Sequence, residues 1–216
     1  MAKLYFRYGT MDSAKTLNLL AVAHNYRKQG KRVRLLKPAL DDRFGREQIK
    51  SRSGLSAAAD MLVREGDQLD PAAFSELDCV LVDEAQFLDP GIVDQLRMLT
   101  LTLGLPVICY GLRTDFQTRS FPGARRLLEL ADTIEEVKVT CQFCDRKAVF
   151  NLRMAGGKAV IEGAQVALGD EEYAPVCWRD YVERVGHDGL STMGFSLPRA
   201  GVEPEPARIA SRGDGG

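Results

Sequence analysis

The stretch Gly9-Thr10-Met11-Asp12-Ser13-Ala14-Lys15-Thr16 follows a short apolar and aromatic run, Leu4 to Tyr8, and precedes an apolar-rich helical pattern. The order of strand, tight loop and helix is the context in which such an octapeptide binds phosphate. A helix N-terminus leaves backbone N–H groups unpaired and favours negative charge, so a polyphosphate can be held there. The pattern predicts that Lys15 reaches the outer phosphates and that the Thr16 hydroxyl binds the accompanying magnesium ion.

One position departs from the nucleotide-binding pattern G-x-x-x-x-G-K-[ST]. Ala14 stands in the place of the second glycine, and Asp12 adds a negative charge within the loop. A methyl group at position 14 can restrict the backbone or crowd a phosphate. Taken alone, the octapeptide is equally consistent with an ordinary strand–turn–helix that carries an exposed lysine.

The composition is that of an ordinary globular chain. Its 216 residues are 45% hydrophobic, enough for one core of usual size, and the formal net charge is −1. That balance argues against a nucleic acid polymer or an anionic membrane as a partner. The chain has no apolar stretch of about 18 residues and no signal-peptide layout, so we expect a soluble, cytoplasmic protein.

A second strong signal is the apolar run from Cys79 to Val82, which ends in Asp83 and Glu84. Such a run predicts a buried strand that presents two carboxylates at its C-terminal tip. In a nucleotide-binding fold, Asp83 is the expected carboxylate for magnesium. Glu84 would then be available to accept a proton from an attacking hydroxyl. A helix start or a surface pair of acids is the alternative.

Strand and helix patterns alternate along the first two thirds of the chain. They predict an α/β fold, a P-loop nucleotide-binding core with a parallel sheet over residues 1–139. Helices are predicted at 17–29, 90–103 and 127–132, and further strands at 32–38, 106–112 and 135–140. Residues 46–56 look mobile and basic. Phe116 and Phe121 beside a strand tip could line a pocket for a flat ring, although aromatic residues are more often core.

The pattern changes after residue 139. Cys141 and Cys144 form a C-x-x-C pair, a hairpin pattern spans 148–163, and Cys177 follows Cys144 after 32 intervening residues. This arrangement resembles a zinc ribbon over residues 140–190. Asp180 or the more distant His187 would supply the fourth ligand; a metal-free ribbon or a redox-active cysteine pair is the alternative. Cys79 and Cys109 fit inert core positions, and residues 191–216 are expected to be a disordered tail.

Together these motifs resemble the type II (cellular) thymidine kinases over roughly residues 2–190. Each motif is weak alone, but their joint order is highly specific. Besides the phosphate loop and the cysteine pairs, the resemblance depends on five segments, which are residues 41–45, 51–55, 82–87, 110–116 and 163–173.

The resemblance implies a role for each matching residue. Glu84 is the general base toward the nucleoside 5′-hydroxyl, and Arg43 is the active-site arginine. ATP and magnesium are held by Gly9, Thr10, Met11, Asp12, Ser13, Ala14, Lys15, Thr16, Asp83 and Gln86. The nucleoside is bound by Met11, Asp41, Phe87, Leu112, Phe116, Phe121, Val166 and Tyr173. The metal ligands are Cys141, Cys144, Cys177 and Asp180.

The resemblance further implies a lasso loop at about 164–173, anchored by the zinc unit, that closes over thymidine. It implies a homotetramer and inhibition by the end-product triphosphate. The family often has paired glycines in the lasso where this chain has Gly169-Asp170, a departure that adds to Ala14 and Asp180. The predicted activity is transfer of the ATP γ-phosphoryl group to the 5′-hydroxyl of thymidine, and also of deoxyuridine, in deoxynucleotide salvage. A non-catalytic nucleotide-binding regulator with a zinc ribbon, a P-loop ATPase and another nucleoside kinase are the alternatives.

Overall fold

A twisted sheet with helices on both faces forms the larger part of the chain in the computed structural model, which describes residues 1–41, 45, 47–165 and 172–198. The strands are β1 (Leu4–Tyr8), β2 (Val33–Pro38), β3 (Gln48–Lys50), β4 (Ser56–Ala58), β5 (Met61–Val63), β6 (Cys79–Val82), β7 (Val107–Gly111), β8 (Thr133–Glu136), β9 (Phe150–Ala155), β10 (Lys158–Ala159) and β11 (Glu172–Val176). The helices are α1 (Lys15–Lys28), α2 (Pro90–Thr102), α3 (Pro122–Leu130) and α4 (Trp178–Thr192).

The central sheet has six strands in the order β5-β2-β6-β7-β1-β8. Every strand pair in it is parallel. The predicted α/β fold with a parallel sheet is therefore confirmed. Because all six strands run the same way, the loops that follow β1, β2, β6 and β7 meet at one edge of the sheet, where parallel sheets bind ligands.

The alternation of side chains along the strands builds one apolar layer on each face of the sheet. On one face, Leu81 and Ile108 pack against Leu19 of α1. On the other face, Val80 and Val107 pack in the cluster that contains Ile92, Val93, Leu96 and Leu99 of α2. Both β6 and β7 are buried along their whole length. Truncating such a fully buried leucine to alanine costs about 2–5 kcal/mol.

A second, antiparallel sheet lies toward the C-terminus, in the order β10-β9-β11. Residues 141–165 and 172–198, which we call the C-terminal unit, contribute their own apolar cluster around Leu152, Val176 and Tyr181. The Tyr181 hydroxyl donates to the Phe116 carbonyl at 2.5 Å and so joins this unit to the loop after β7.

Some predicted elements differ from those in the structure. Residues 48–58 form the β3–β4 hairpin instead of a mobile stretch, because Ile49 is buried in the cluster that includes α1. Helix α3 begins at Pro122, five residues before its predicted start, since proline suits the first turn of a helix. The strand predicted at 135–140 corresponds to β8, which already ends at Glu136. The sequence did not predict β11 or α4.

Among the described residues, no helix combines the length and the apolar character that crossing a bilayer requires. The predicted tail falls largely on residues 199–216, which lie outside the described part of the chain.

Candidate active site

The phosphate loop runs from the end of β1 into the first turn of α1 and is tightly folded. The Gly9 N–H donates to the Gly111 carbonyl at 3.2 Å, which ties the loop to β7. A Cβ atom at Gly9 would lie 2.4 Å from Ser13 Oγ and 2.5 Å from the Val137 carbonyl oxygen. Only glycine fits at the start of this loop.

Ala14 has a left-handed backbone conformation, with φ 60° and ψ 27°, immediately before α1. A residue with a side chain adopts this region at a cost of about 1–2 kcal/mol. The alanine methyl group therefore does not prevent the glycine-like turn, but it makes the turn less favourable. Asp12 has φ 61° and is also left-handed, so two strained residues lie within three positions.

The extra negative charge of the loop has a partner in the β3–β4 hairpin. Arg52 and Asp12 form an ion pair between guanidinium and carboxylate. The Arg52 side chain is 61% exposed, so solvent screens the pair and its contribution to stability is small. Its effect is local: it offsets an anion in a loop that has to accept phosphates.

Lys15 folds back over the loop. Its ammonium group donates to the Thr10 carbonyl at 2.6 Å and to Ser13 Oγ at 3.3 Å. A bound triphosphate would offer the same ammonium group charged acceptors, which make stronger hydrogen bonds than neutral ones.

Thr16 and Asp83, which the sequence predicts to share a magnesium ion, contact each other at the edge of the sheet. The Thr16 hydroxyl is 3.2 Å from each carboxylate oxygen of Asp83. Burial, followed by the charge of Glu84, raises the pKa of Asp83 to about 7, against the hydrogen bond from Thr16 and the charge of Lys15. A divalent cation at this point would favour the carboxylate form.

Glu84 projects from the tip of β6 at a left-handed residue, with φ 49° and ψ 38°. Gln86 holds its carboxylate, because Gln86 Nε2 donates to Glu84 Oε2 at 2.6 Å. The other end of the Gln86 amide accepts from the Leu112 N–H at 2.9 Å, and Gln86 is 1% exposed. A Cβ atom at Gly111 would lie 2.6 Å from Gln86 Oε1, so glycine at the end of β7 makes room for this amide.

Four of the predicted nucleoside-binding residues belong to one apolar cluster. Leu112 and Phe121 are buried in it, and Met11 and Phe87 pack against it half-buried. The rings of Phe87 and Phe121 meet edge to face at 5.5 Å. Phe116 is also buried, but it packs beneath the guanidinium group of Arg153, 4.7 Å from its ring centre.

Two of the other residues predicted for this site are described by the structure, and two are not. Asp41 is buried after β2, with its carboxylate 3.2 Å from the ammonium group of Lys37. Tyr173 lies on β11, paired in register with Arg153 of β9. Arg43 and Val166 fall among the residues that the structure does not describe.

The sequence did not single out Lys37, which is 1% exposed and lies in β2. Besides Asp41, its ammonium group contacts the carbonyl oxygens of Gly45 at 3.2 Å and Gln48 at 2.8 Å. Lys37 therefore shapes the loop after β2. The sequence signal that could have identified Lys37 was a single lysine within an apolar strand pattern.

The predicted metal ligands converge on one point. Cys141, Cys144, Cys177 and Asp180 place their ligand atoms within 4.8 Å of one another, the one such group of three or more ligands among the described residues. The Cys144 and Cys177 sulfur atoms are 3.7 Å apart. A tetrahedral zinc site with Zn–S bonds of about 2.3 Å has sulfur atoms about 3.8 Å apart, so this donor set fits such an ion.

Asp180 takes the fourth position of the cluster, and its Oδ2 lies 2.9–3.2 Å from the three sulfur atoms. Hydrogen bonds from the thiols, first that of Cys144, lower the pKa of Asp180 to about 2. The same contact with Asp180 raises the pKa of the Cys144 thiol to about 12. His187, the other candidate, lies outside the cluster, with Nδ1 3.9 Å from an Asp188 carboxylate oxygen.

Comparisons with known proteins show the family of this chain. A family model described as thymidine kinase matches residues 2–181. A thymidine kinase from Streptococcus pyogenes serotype M3 (strain ATCC BAA-595 / MGAS315) is 43% identical over 188 residues, covering 84% of this chain and 97% of that protein. A thymidine kinase from Ruegeria pomeroyi is 44% identical over 195 residues, with 88% and 98% covered.

Another thymidine kinase, from Lactobacillus acidophilus, is 42% identical over 192 residues, with 84% of this chain and 96% of that protein covered. Among solved structures, the Pif1 helicase from Candida albicans gives a TM-score of 0.38 at 10% identity, over 63% of this chain and 36% of that one. That likeness is too slight to bear on function. The family match and the identity of these relatives over nearly their whole length show that the chain belongs to the thymidine kinase family.

Proposed function

We propose that this protein transfers the γ-phosphoryl group of ATP to the 5′-hydroxyl of thymidine, and of deoxyuridine, to give the monophosphate. The observation that carries the proposal is the contact of Thr16 with Asp83, next to Glu84 at the same strand tip. This contact puts a phosphate loop, a magnesium-type carboxylate and a second carboxylate at one edge of the sheet.

The residues of the phosphate loop would bind and orient ATP. Backbone N–H groups at the start of α1 and the Lys15 ammonium group would hold the phosphates. Thr16 and Asp83 would hold the magnesium ion, which neutralises charge on the phosphates when it is bound. Phosphoryl transfer depends mainly on such positioning and charge neutralisation.

Glu84 would accept the proton of the nucleoside hydroxyl. The hydrogen bond from Gln86 fixes one carboxylate oxygen. The amide of Gln86 is itself held by the Leu112 N–H, so the base is oriented by the same loop that contributes to the apolar cluster. A general base contributes typically 10²–10⁴-fold to rate, provided that it is oriented toward its proton.

The apolar cluster around Leu112 and Phe121 would accept the thymine ring, and Asp41 and Tyr173 would contribute to the same site. From the family resemblance we assign Arg43 to the transferring phosphoryl group. We assign Val166 and the surrounding segment to a lasso over the nucleoside. These assignments rest on the matching sequence positions.

The cysteine cluster would hold one structural zinc ion, with Asp180 as the fourth ligand. Three sulfur atoms and one carboxylate oxygen at these separations support zinc over a redox pair, because the C-x-x-C thiols face the carboxylate as well as each other. We further propose the domain division at residues 139 and 190, a cytoplasmic location, a homotetramer and no nucleic acid polymer as partner.

The proposed activity is tested by incubating the purified protein with radiolabelled nucleoside and magnesium-ATP. We expect thymidine and deoxyuridine to give labelled monophosphates and deoxycytidine to give little. Nucleotide hydrolysis without nucleoside phosphorylation would indicate an ATPase. Tight ATP binding without turnover would favour a regulator, for which the substitution at Ala14 is the supporting feature.

A further inference from the structure

Asn151 reaches from β9 of the C-terminal unit into the phosphate loop. Its Oδ1 accepts a hydrogen bond from the Met11 N–H at 2.7 Å. Its Nδ2 donates to the Thr114 carbonyl, in the loop after β7, at 3.3 Å. The side chain is nearly completely buried, with 3% of the residue exposed. One amide therefore joins three segments that lie far apart in the chain.

The contact falls where the loop has the least favourable backbone. Met11 precedes Asp12, which has a positive φ angle, and Ala14 follows two residues later in the same region. A backbone in such a conformation persists only when surrounding contacts hold it. The hydrogen bond from the Met11 N–H to Asn151 is one of these contacts, and it comes from outside the nucleotide-binding core.

The side chain of Thr10, next to Met11, receives little support from its surroundings. Its Oγ1 is buried and has no hydrogen-bond partner among the described residues. It lines a small polar cavity between the core and the C-terminal unit, together with Tyr8, Arg113 and Asn151. The packing against Thr10 is thus incomplete, so the directed hydrogen bond at Met11 has more weight in fixing the loop.

The same strand also contacts the segment that leads into the predicted lasso. Arg153 lies two positions after Asn151 and therefore on the same face of β9. Its Nη1 donates to the Ala164 carbonyl at 2.9 Å. One face of β9 thus touches both the phosphate loop and residue 164.

We propose that Asn151 is a positioning residue that holds the phosphate loop in its triphosphate-binding conformation and couples it to the C-terminal unit. The proposal rests on the proposed function only in identifying the loop's ligand as ATP. Removing the amide would leave the partly buried Met11 N–H without this acceptor, which loosens the loop before any nucleoside binds.

Three variants test this: Asn151→Ala, the milder Asn151→Ser, and the matched control Gln117→Ala. Gln117 Nε2 donates to the Ile161 carbonyl at 2.8 Å, so the control removes a comparable bond between core and C-terminal unit away from the phosphate loop. Magnesium-ATP affinity is measured by calorimetry without nucleoside, and exchange of the Met11 amide by hydrogen exchange. Zinc content and thermal unfolding are recorded for each variant.

We expect Asn151→Ala to weaken ATP binding by about tenfold and to expose the Met11 amide, with Asn151→Ser intermediate. Gln117→Ala should stay within about twofold of the parent in ATP affinity and keep the amide protected. Unchanged ATP affinity in both Asn151 variants, or an equal loss in Gln117→Ala, would overturn the proposal. Because neither readout uses thymidine, a failure of the kinase assay would leave this test intact.

Discussion

At the scale of single residues, besides Asp12 within the phosphate loop, two non-glycine residues of the site have left-handed backbones, Ala14 and Glu84. Ala14 lies directly before α1 and orients the first turn of that helix. Glu84 lies at the tip of β6, and its backbone orients its own carboxylate. Strain of this kind is common at ligand sites, where the surrounding structure imposes it.

The strain at Ala14 predicts that glycine is better there. Ala14→Gly should stabilise the protein by about 0.5–1 kcal/mol, since removal of the left-handed alanine outweighs the greater freedom of glycine in the unfolded chain. The control is Ala21→Gly, at an exposed position inside α1, which should destabilise by about 1 kcal/mol. Urea unfolding of both variants measures the difference. Loss of stability in both would show that Ala14 is not strained.

Glu84→Gln should lower the turnover number by about 10²-fold or more while ATP affinity stays near that of the parent. The amide keeps the size of the side chain but cannot take the hydroxyl proton. Steady-state kinetics and ATP calorimetry separate the two effects. Glu76→Gln, which changes an exposed carboxylate paired with Arg32, should have no effect. Normal turnover in Glu84→Gln would remove Glu84 from the role of base.

At the scale of elements, the sequence predicted the parts that carry a strong local signal. Strand β1 has the predicted bounds, and β2, β6, β7 and α2 differ from theirs by two residues or fewer. These strands are continuous apolar runs, and Asp89 and Pro90 mark the start of α2. The phosphate loop, Asp83 and Glu84 could be predicted for the same reason, because each adjoins such an element; the candidate metal ligands were predicted instead from the spacing of the cysteines.

Elements whose stability comes from tertiary packing were missed. Ile49 is the buried residue that anchors the β3–β4 hairpin in the core, with the small Ala57 of β4 packed against the same cluster, and its neighbours Gln48 and Lys50 are polar. Helix α4 contains Gly186 with φ 73°, a break that hides its helical period. Likewise nothing around Asn151 marked it as a contact of Met11, because the two lie 140 residues apart.

Two of the candidate metal ligands lie at the start of α4: Cys177 caps the helix, and Asp180 is in its first turn. The purified protein should contain about one zinc per chain. Cys177→Ala should lose the metal, whereas Asp180→Cys should keep it more tightly against a chelator. Cys79→Ala, in β6, should leave zinc content unchanged, since Cys79 lies in the core. Zinc content is measured by elemental analysis after dialysis. Full zinc content in Cys177→Ala would contradict the assignment of Cys177 as a ligand.

At the scale of the whole molecule, loops from β1, β2, β6 and β7 converge at one edge of the sheet, and the C-terminal unit packs beside it. Hydrogen bonds cross between the two parts at Met11, Phe116 and Gln117. The parallel sheet has its own two apolar layers, whereas the C-terminal unit has one small cluster. The two parts should therefore differ in how strongly they depend on metal.

Removal of zinc with a chelator should increase amide exchange in β9 and β11 and at Met11, while β6 and β7 stay protected. Exchange in the fully buried strands requires opening of the main core, but exchange in the C-terminal unit requires only local opening. Hydrogen-exchange mass spectrometry before and after chelation measures this. Uniform loss of protection would indicate instead that the molecule unfolds as one unit.

The carboxylate in the cysteine cluster has a consequence for the protein's chemical durability. Peroxides oxidise the thiolate rather than the thiol, so a cysteine that stays protonated is oxidised slowly. Because the contact with Asp180 raises the pKa of the Cys144 thiol to about 12, this thiol is expected to stay in the protonated, less reactive form whenever no metal ion is bound. Replacing Asp180 with cysteine would remove this contact and with it the main cause of the raised pKa.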